Sequence, residues 1–370
     1  MAESKVAARD MTWDIARGIG MATVIYGHFL EPIYPGHAES GKALVESAFN
    51  QWQVIYSFHM MLFFLVSGAV NRNLPKKAWP EVLRGSLRLL ALAWVVHLIG
   101  VLVDFSLGNL PSTPWEVVTA VFVPILEGYC WSVGVLWFLT AMCFVQLLAY
   151  LLLRHLPAMV VVIGAVAATA VVVYFDAPNK YLFRTWMPGL SFFALGYLFA
   201  QWQIRWPVWL CIFLFAALIF LAPLNNGCAY TIQSACDQFA DGPFGVRMFG
   251  GSYGELPWFF LTALVGSIAV VCLSAGLARY KGSAVLAYMG KNSLDLFIIN
   301  GFVATFLQSY IARFNWPHLT VFHYLAIAIG LIAAHLLAQR LLRHPLTLID
   351  AAALRIAASI TALVSRRAVT

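Results

Sequence analysis

The chain has 370 residues, 62% of them hydrophobic and only 11% charged, with a formal net charge of +7 and a mean hydropathy of +0.81. A soluble domain carries roughly 25% charged residues, so this composition excludes a water-soluble globular protein and predicts an all-α, polytopic membrane protein. The excess of Lys and Arg then reads as positive-inside loops and attraction to anionic lipid, and no nucleic-acid partner is expected.

The N-terminal tail, with Lys5 and Arg9, is polar and has no small-residue cleavage pattern, so it reads as uncleaved and cytoplasmic. The first apolar stretch, Met11 to Glu31, is long enough to cross a bilayer as a helix. It carries Asp14, Arg17, His28 and Glu31. Ionisable groups at membrane depth cost roughly 2.5–3.5 kcal/mol each on insertion scales, so they face a cavity or a partner. At about 100° per residue, Arg17 and His28 fall within roughly 20° of each other around the axis, and about 16 Å apart along it. Asp14 and Glu31 extend the same stripe by one turn at each end; near the membrane faces they also read as snorkelling residues. Arg17 and His28 cannot hold one atom, but they can hold two ends of a long molecule.

A second span runs from about Gln51 to Val70 and contains His59, followed by Ser67-Gly68, small residues that permit close helix contact. Alone, His59 reads as a core histidine; beside His28, it reads as part of a shared polar pocket. The stretch from Asn71 to Arg88 holds Arg72, Lys76, Lys77, Arg84 and Arg88 and is expected to be cytoplasmic. Arg84 and Arg88 share a helix face, which suits either positive-inside anchoring or a clamp on phosphate. A third span covers about 89–105, and the short apolar segment 114–128, bounded by prolines and Gly128, reads as a partial or re-entrant helix. Further spans are expected at about 131–153, 157–175, 187–203, 207–221, 256–277, 285–307 and 319–339, with a long polar external loop at 225–255. Lys291 and Asp295, four apart in the ninth span, are placed to neutralise each other.

This gives about ten transmembrane helices with both termini cytoplasmic. It puts 16 of the 23 Lys and Arg on cytoplasmic segments and five on external ones, with Arg17 and Lys291 inside spans. The C-terminal stretch 346–370 is apolar but interrupted by Asp350 and Arg355, and reads as an interfacial amphipathic tail beside an integral-membrane domain at 1–345. The cysteines show no metal-ligand spacing, and no metal is expected. Cys130, Cys143, Cys211 and Cys272 read as packing residues, whereas Cys228 and Cys236 share the long external loop, where a bridge stays open.

Several short motifs share one resemblance. Asp14-x-x-Arg17 with His28 eleven residues on resembles the opening motif of the membrane-bound acyltransferase 3 family. Phe58-His59-Met60-x-Leu62-Phe63-Phe64-x-x-Ser67-Gly68 is similar to its second-helix signature, with Met61 where the family often has Pro. Arg84 and Arg88-Leu89-Leu90, Leu136-Trp137-Phe138-Leu139 and Gly290-x-x-Ser293-Leu294-x-x-Phe297 resemble its later motifs in order; Asn300 stands where many members have His.

The resemblance implies transfer of an acyl group, commonly acetyl, from a cytosolic acyl-CoA such as acetyl-CoA to a hydroxyl of a cell-surface sugar, polysaccharide or glycolipid, in the bacterial cytoplasmic (inner) membrane. On that reading Asp14, Arg17, Arg84, Arg88 and Trp137 serve the donor, and His28, Glu31 and His59 serve catalysis. His28 is either the general base or an acylated intermediate. Glu31, one turn away, is expected to hold its imidazole in the working tautomer, and His59 to polarise the thioester carbonyl or hold the acceptor. A homo-oligomer stays open. A proton-coupled transporter or flippase of envelope precursors is the competing class, and a non-catalytic envelope-assembly protein a third.

Overall fold

A computed structural model of the chain describes residues 11–33, 45–108, 113–128, 131–175, 177–202, 207–225, 244–311 and 319–367. The expectations for Lys5, Arg9, Cys130, Cys228 and Cys236 lie outside these residues. Among the described residues the regular structure is helical, as it must be where lipid offers the backbone no hydrogen-bond partner.

Fourteen α-helices occur among the described residues: α1 (Thr12–Leu30), α2 (Glu46–Tyr56), α3 (His59–Val70), α4 (Trp79–Ser106), α5 (Pro114–Glu127), α6 (Trp137–His155), α7 (Ala158–Tyr174), α8 (Phe183–Trp202), α9 (Val208–Leu221), α10 (Leu256–Leu277), α11 (Ala284–Lys291), α12 (Ser293–Ile311), α13 (Val321–Leu341) and α14 (Arg343–Arg367). Six helical stretches are long and apolar enough to cross a membrane: 46–70 (α2 and α3 together), α4, 134–155, α10, α13 and 343–365. Three shorter apolar helices, 158–174, 209–224 and 293–306, accompany them. The first helix has the length, 19 residues, but its polar stripe keeps it out of that set.

Helix α1 is the hub, packing against α2, α3, α10, α11, α12 and α13. Its closest approach is to α11. A Cβ built on Gly18 would strike the backbone of Leu286, and one on Gly290 would strike the carbonyl of Asp14, so the absence of a side chain at both places lets the two backbones touch. Gly68 does the same for α3 against the backbone of Phe193 on α8, as Ser67-Gly68 suggests.

Two expected spans are broken. The second splits at Ser57-Phe58, where φ at Phe58 is −139°. The Ile55 carbonyl there accepts both the Phe58 amide (3.2 Å) and the ring Nδ1–H of His59 (2.9 Å). The ninth splits at Asn292, whose Nδ2 donates to Tyr288 O (2.8 Å). This break separates Lys291 from Asp295. Lys291 is exposed, and Asp295 Oδ2 accepts from Gln339 Nε2 on α13 (3.0 Å), so the expected i,i+4 pair is replaced by a contact between helices.

Arg84 and Arg88 are not at a loop–helix boundary but within α4, which starts ten residues before the expected span. Residues 346–367, read as an interfacial tail, belong to α14, which lies along α4. Leu346, Ala353, Ala357 and Thr361 form its buried stripe, and Arg88 Nε and Nη2 both donate to Asp350 Oδ1 at 2.6 Å.

Candidate active site

The polar end of α1, the broken α2–α3 junction and α12 line a partly open cavity of about 210 Å³. His28 and Glu31 enter it from α1, Tyr56 and His59 from the two sides of the break, and Thr305 and Gln308 from α12. Gly134, Val135 and Trp137 close one wall, and residues 246–249 close another. The sequence-selected residues His28, Glu31, His59 and Trp137 therefore share one chamber. Arg17, Arg84 and Arg88 do not line it. Asp14 is buried and Arg17 half-buried on α1, Arg84 is exposed, and Arg88 is engaged by Asp350.

Tyr56 stands between the two histidines. Its ring lies 4.7 Å from that of His59 and 6.4 Å from that of His28, centroid to centroid. The break in α2–α3 makes this possible, since it places Tyr56 at the end of one helix and His59 at the start of the next. His59 is 3% exposed, and its Nδ1 faces the Ile55 carbonyl. A carbonyl oxygen only accepts, so Nδ1 carries a proton and the neutral ring presents a lone pair at Nε2. Such a ring can accept from an acceptor hydroxyl; it cannot donate to a thioester carbonyl.

The expected partner of the His28 imidazole was Glu31. At Nδ1 the partner is instead Asn300, whose Nδ2 lies 2.7 Å away on α12. Glu31 Oε2 accepts from Gln308 Nε2 at 2.8 Å, and this bond ties α1 to α12 one turn further along. The reason is geometric: residues three apart on α1 project side by side into the cavity, and α12 supplies an amide opposite each.

The 246–249 wall belongs to the segment 225–255, expected from the sequence as a long polar loop. Val246 and Met248 are buried, Gln53 Nε2 donates to Phe244 O (2.7 Å) and Thr185 Oγ1 donates to Met248 O (2.9 Å). Gly251, at φ +71°, closes the turn that pairs Arg247 with Ser252 and so presents Arg247 to the chamber. The Arg247 guanidinium sits 5.8 Å over the Trp52 ring, which gives the site a cation that sequence reasoning missed. Among the described residues no cluster of three His, Cys, Asp or Glu is placed to hold a metal ion.

In this helical membrane protein two histidines, a carboxylate and a guanidinium line one partly open chamber. The family profile described as an acyltransferase domain matches residues 12–337, and the chain belongs to the acyltransferase 3 family. It is similar to nodulation protein NolL of Mesorhizobium japonicum, with 28% identity over 314 residues, covering 80% of this chain and 76% of that protein. No solved structure matches the chain.

Proposed function

We propose that the protein is an integral-membrane O-acyltransferase that moves an acyl group, of the acetyl type, from cytosolic acyl-CoA to a hydroxyl of a cell-surface sugar, polysaccharide or glycolipid. The observation that carries the reading is the convergence of His28, Glu31 and His59 on one chamber in a chain of this family. In the proposed reaction Nε2 of His59 accepts from a neighbouring hydroxyl of the acceptor, while the reacting hydroxyl donates its single proton to Nε2 of His28. His28 takes that proton as the oxygen attacks the thioester carbonyl. The tetrahedral intermediate collapses by breaking the carbon–sulfur bond, and the imidazolium returns the proton to the departing thiolate. Arg247 supplies positive charge where the oxyanion develops. Glu31, fixed by Gln308, supports the cationic state of His28 electrostatically.

The donor runs along the stripe of α1, its reactive end at His28 and its phosphates toward Arg17 and Arg84, with Asp14 beside Arg17 and Trp137 against its arm. Arg88 holds α4 to α14. Ten spans with both termini in the cytoplasm of a bacterial cell, in the inner membrane, set this direction. A flippase reading draws on one observation, the interrupted helices at 57–58 and 292, because carriers build sites from broken helices. Mass spectrometry of envelope glycans from cells with and without the protein tests the transferase: an acyl ester that disappears with the protein supports it. Unchanged glycans, together with glycolipid flux in proteoliposomes lacking acyl-CoA, would refute it.

A further inference from the structure

Four buried or half-buried histidines have Nδ1 anchored, and that of His97 is held by Ser132. His59 faces the carbonyl of Ile55 at 2.9 Å and His335 faces that of Leu331 at 2.8 Å. Both partners only accept, so both rings are held with the proton on Nδ1. His28 differs, for its partner is the amide of Asn300, a side chain with both a donor and an acceptor. Asn300 is 1% exposed, on α12 directly across from α1.

Each ring nitrogen has one in-plane site. Asn300 occupies the one at Nδ1, so Nε2 is the nitrogen left to meet substrate. With Nδ2–H donating to Nδ1, the neutral ring carries its proton on Nε2 and has no lone pair to offer a hydroxyl. A half-turn of the amide presents Oδ1, which accepts from Nδ1–H and leaves Nε2 basic. The charged ring settles which orientation catalysis needs. Once Nε2 has taken a proton both nitrogens are N–H, and an amide NH₂ facing Nδ1–H would be repulsive, whereas Oδ1 accepts the bond before and after the transfer.

We propose that Asn300 is the positioning residue that selects the tautomer of His28, with Oδ1 accepting from Nδ1–H in the reacting state. The carboxamide does at His28 what the Ile55 carbonyl does at His59. This inference rests on the reading of His28 as the base.

The test uses full-length protein in nanodiscs, with acetyl-CoA as donor and the cell's envelope polysaccharide fraction as acceptor. Asn300→Leu is expected to lower kcat by about 10²-fold, the scale of losing a partner that orients a working imidazole, with KM for acetyl-CoA changed less than about two-fold. Asn300→Asp keeps an acceptor at Nδ1 and is expected to stay within about ten-fold of wild type. Nitrogen NMR of histidine-labelled wild-type protein, with His28 assigned by difference from His28→Gln, is expected to report Nδ1–H. That readout needs no folded Asn300 variant, and a merely structural role would not produce it. Nε2–H in the wild type, or wild-type kcat in Asn300→Leu, overturns the proposal. If His28→Gln also turns over normally, the base reading has failed; if it is dead while Asn300→Leu is normal, only the role of Asn300 has.

Discussion

Replacing Gly290 with Ala tests whether the α1–α11 contact sets the position of the site. The new Cβ would strike the Asp14 carbonyl, a backbone atom that cannot rotate away. Carbon atoms rest at about 3.5–4.0 Å, so the helices must separate by on the order of 1–2 Å. Overpacking of this kind costs about 1–3 kcal/mol, offset by up to about 1 kcal/mol from the better helix propensity of Ala. The kinetic effect should be larger, because α1 carries His28 and Glu31 and a shift of about 1 Å can cost 10²-fold in rate. Gly330 on α13 is the control, since a Cβ there meets nothing within 4 Å. Gly330→Ala should leave turnover alone and raise stability by about 0.5–1 kcal/mol. Thermal unfolding in detergent and acyl transfer in nanodiscs measure both quantities. Wild-type turnover and an unchanged unfolding midpoint in Gly290→Ala would refute the close-contact argument.

His59→Ala should lose about 10–10²-fold in kcat and His28→Ala about 10²–10⁴-fold, matching a hydroxyl holder and a general base; the reverse order would exchange the two roles. Arg247→Ala should lower kcat by about 10–10³-fold, and Arg247→Lys should recover part of it, the charge surviving without the planar fork; a wild-type rate in the alanine variant would remove Arg247 from the chemistry. Arg88→Ala and Asp350→Ala should each cost about 1 kcal/mol or less, the pair being about one-third exposed. Neither should change KM for acyl-CoA, and a ten-fold rise in Arg88→Ala would return Arg88 to the donor site.

Hydropathy made the helices legible. The expected span 256–277 coincides with α10, and 157–175 brackets α7 by one residue at each end. The break at Ser57-Phe58 was not legible, because no Pro or Gly marks it and the run is apolar on both sides; a ring-to-carbonyl bond formed only in the fold accompanies it. The break at Asn292 left a trace, a side-chain amide able to bond back to its own helix. Periodicity on α1 puts His28 and Glu31 on one face, and both line the chamber. It could not find what faces them. Asn300, 272 positions on, and Gln308, 277 positions on, are set opposite by helix packing. Arg247 escaped notice because it lies in a loop, where no repeat relates a residue to a surface. Arg84 and Arg88 looked like a boundary pair because positive charge usually marks helix ends, and α4 extends past them to Trp79.

The claim everything else depends on is that the hydroxyl loses its proton inside the chamber where α1 meets the α2–α3 break. Transfer of labelled acetyl from acetyl-CoA to the envelope polysaccharide fraction, by wild type and by a folded His28→Ala variant in the same nanodiscs, measures it. The account predicts a loss of at least about 10²-fold in the variant. Equal label in the two products would contradict it.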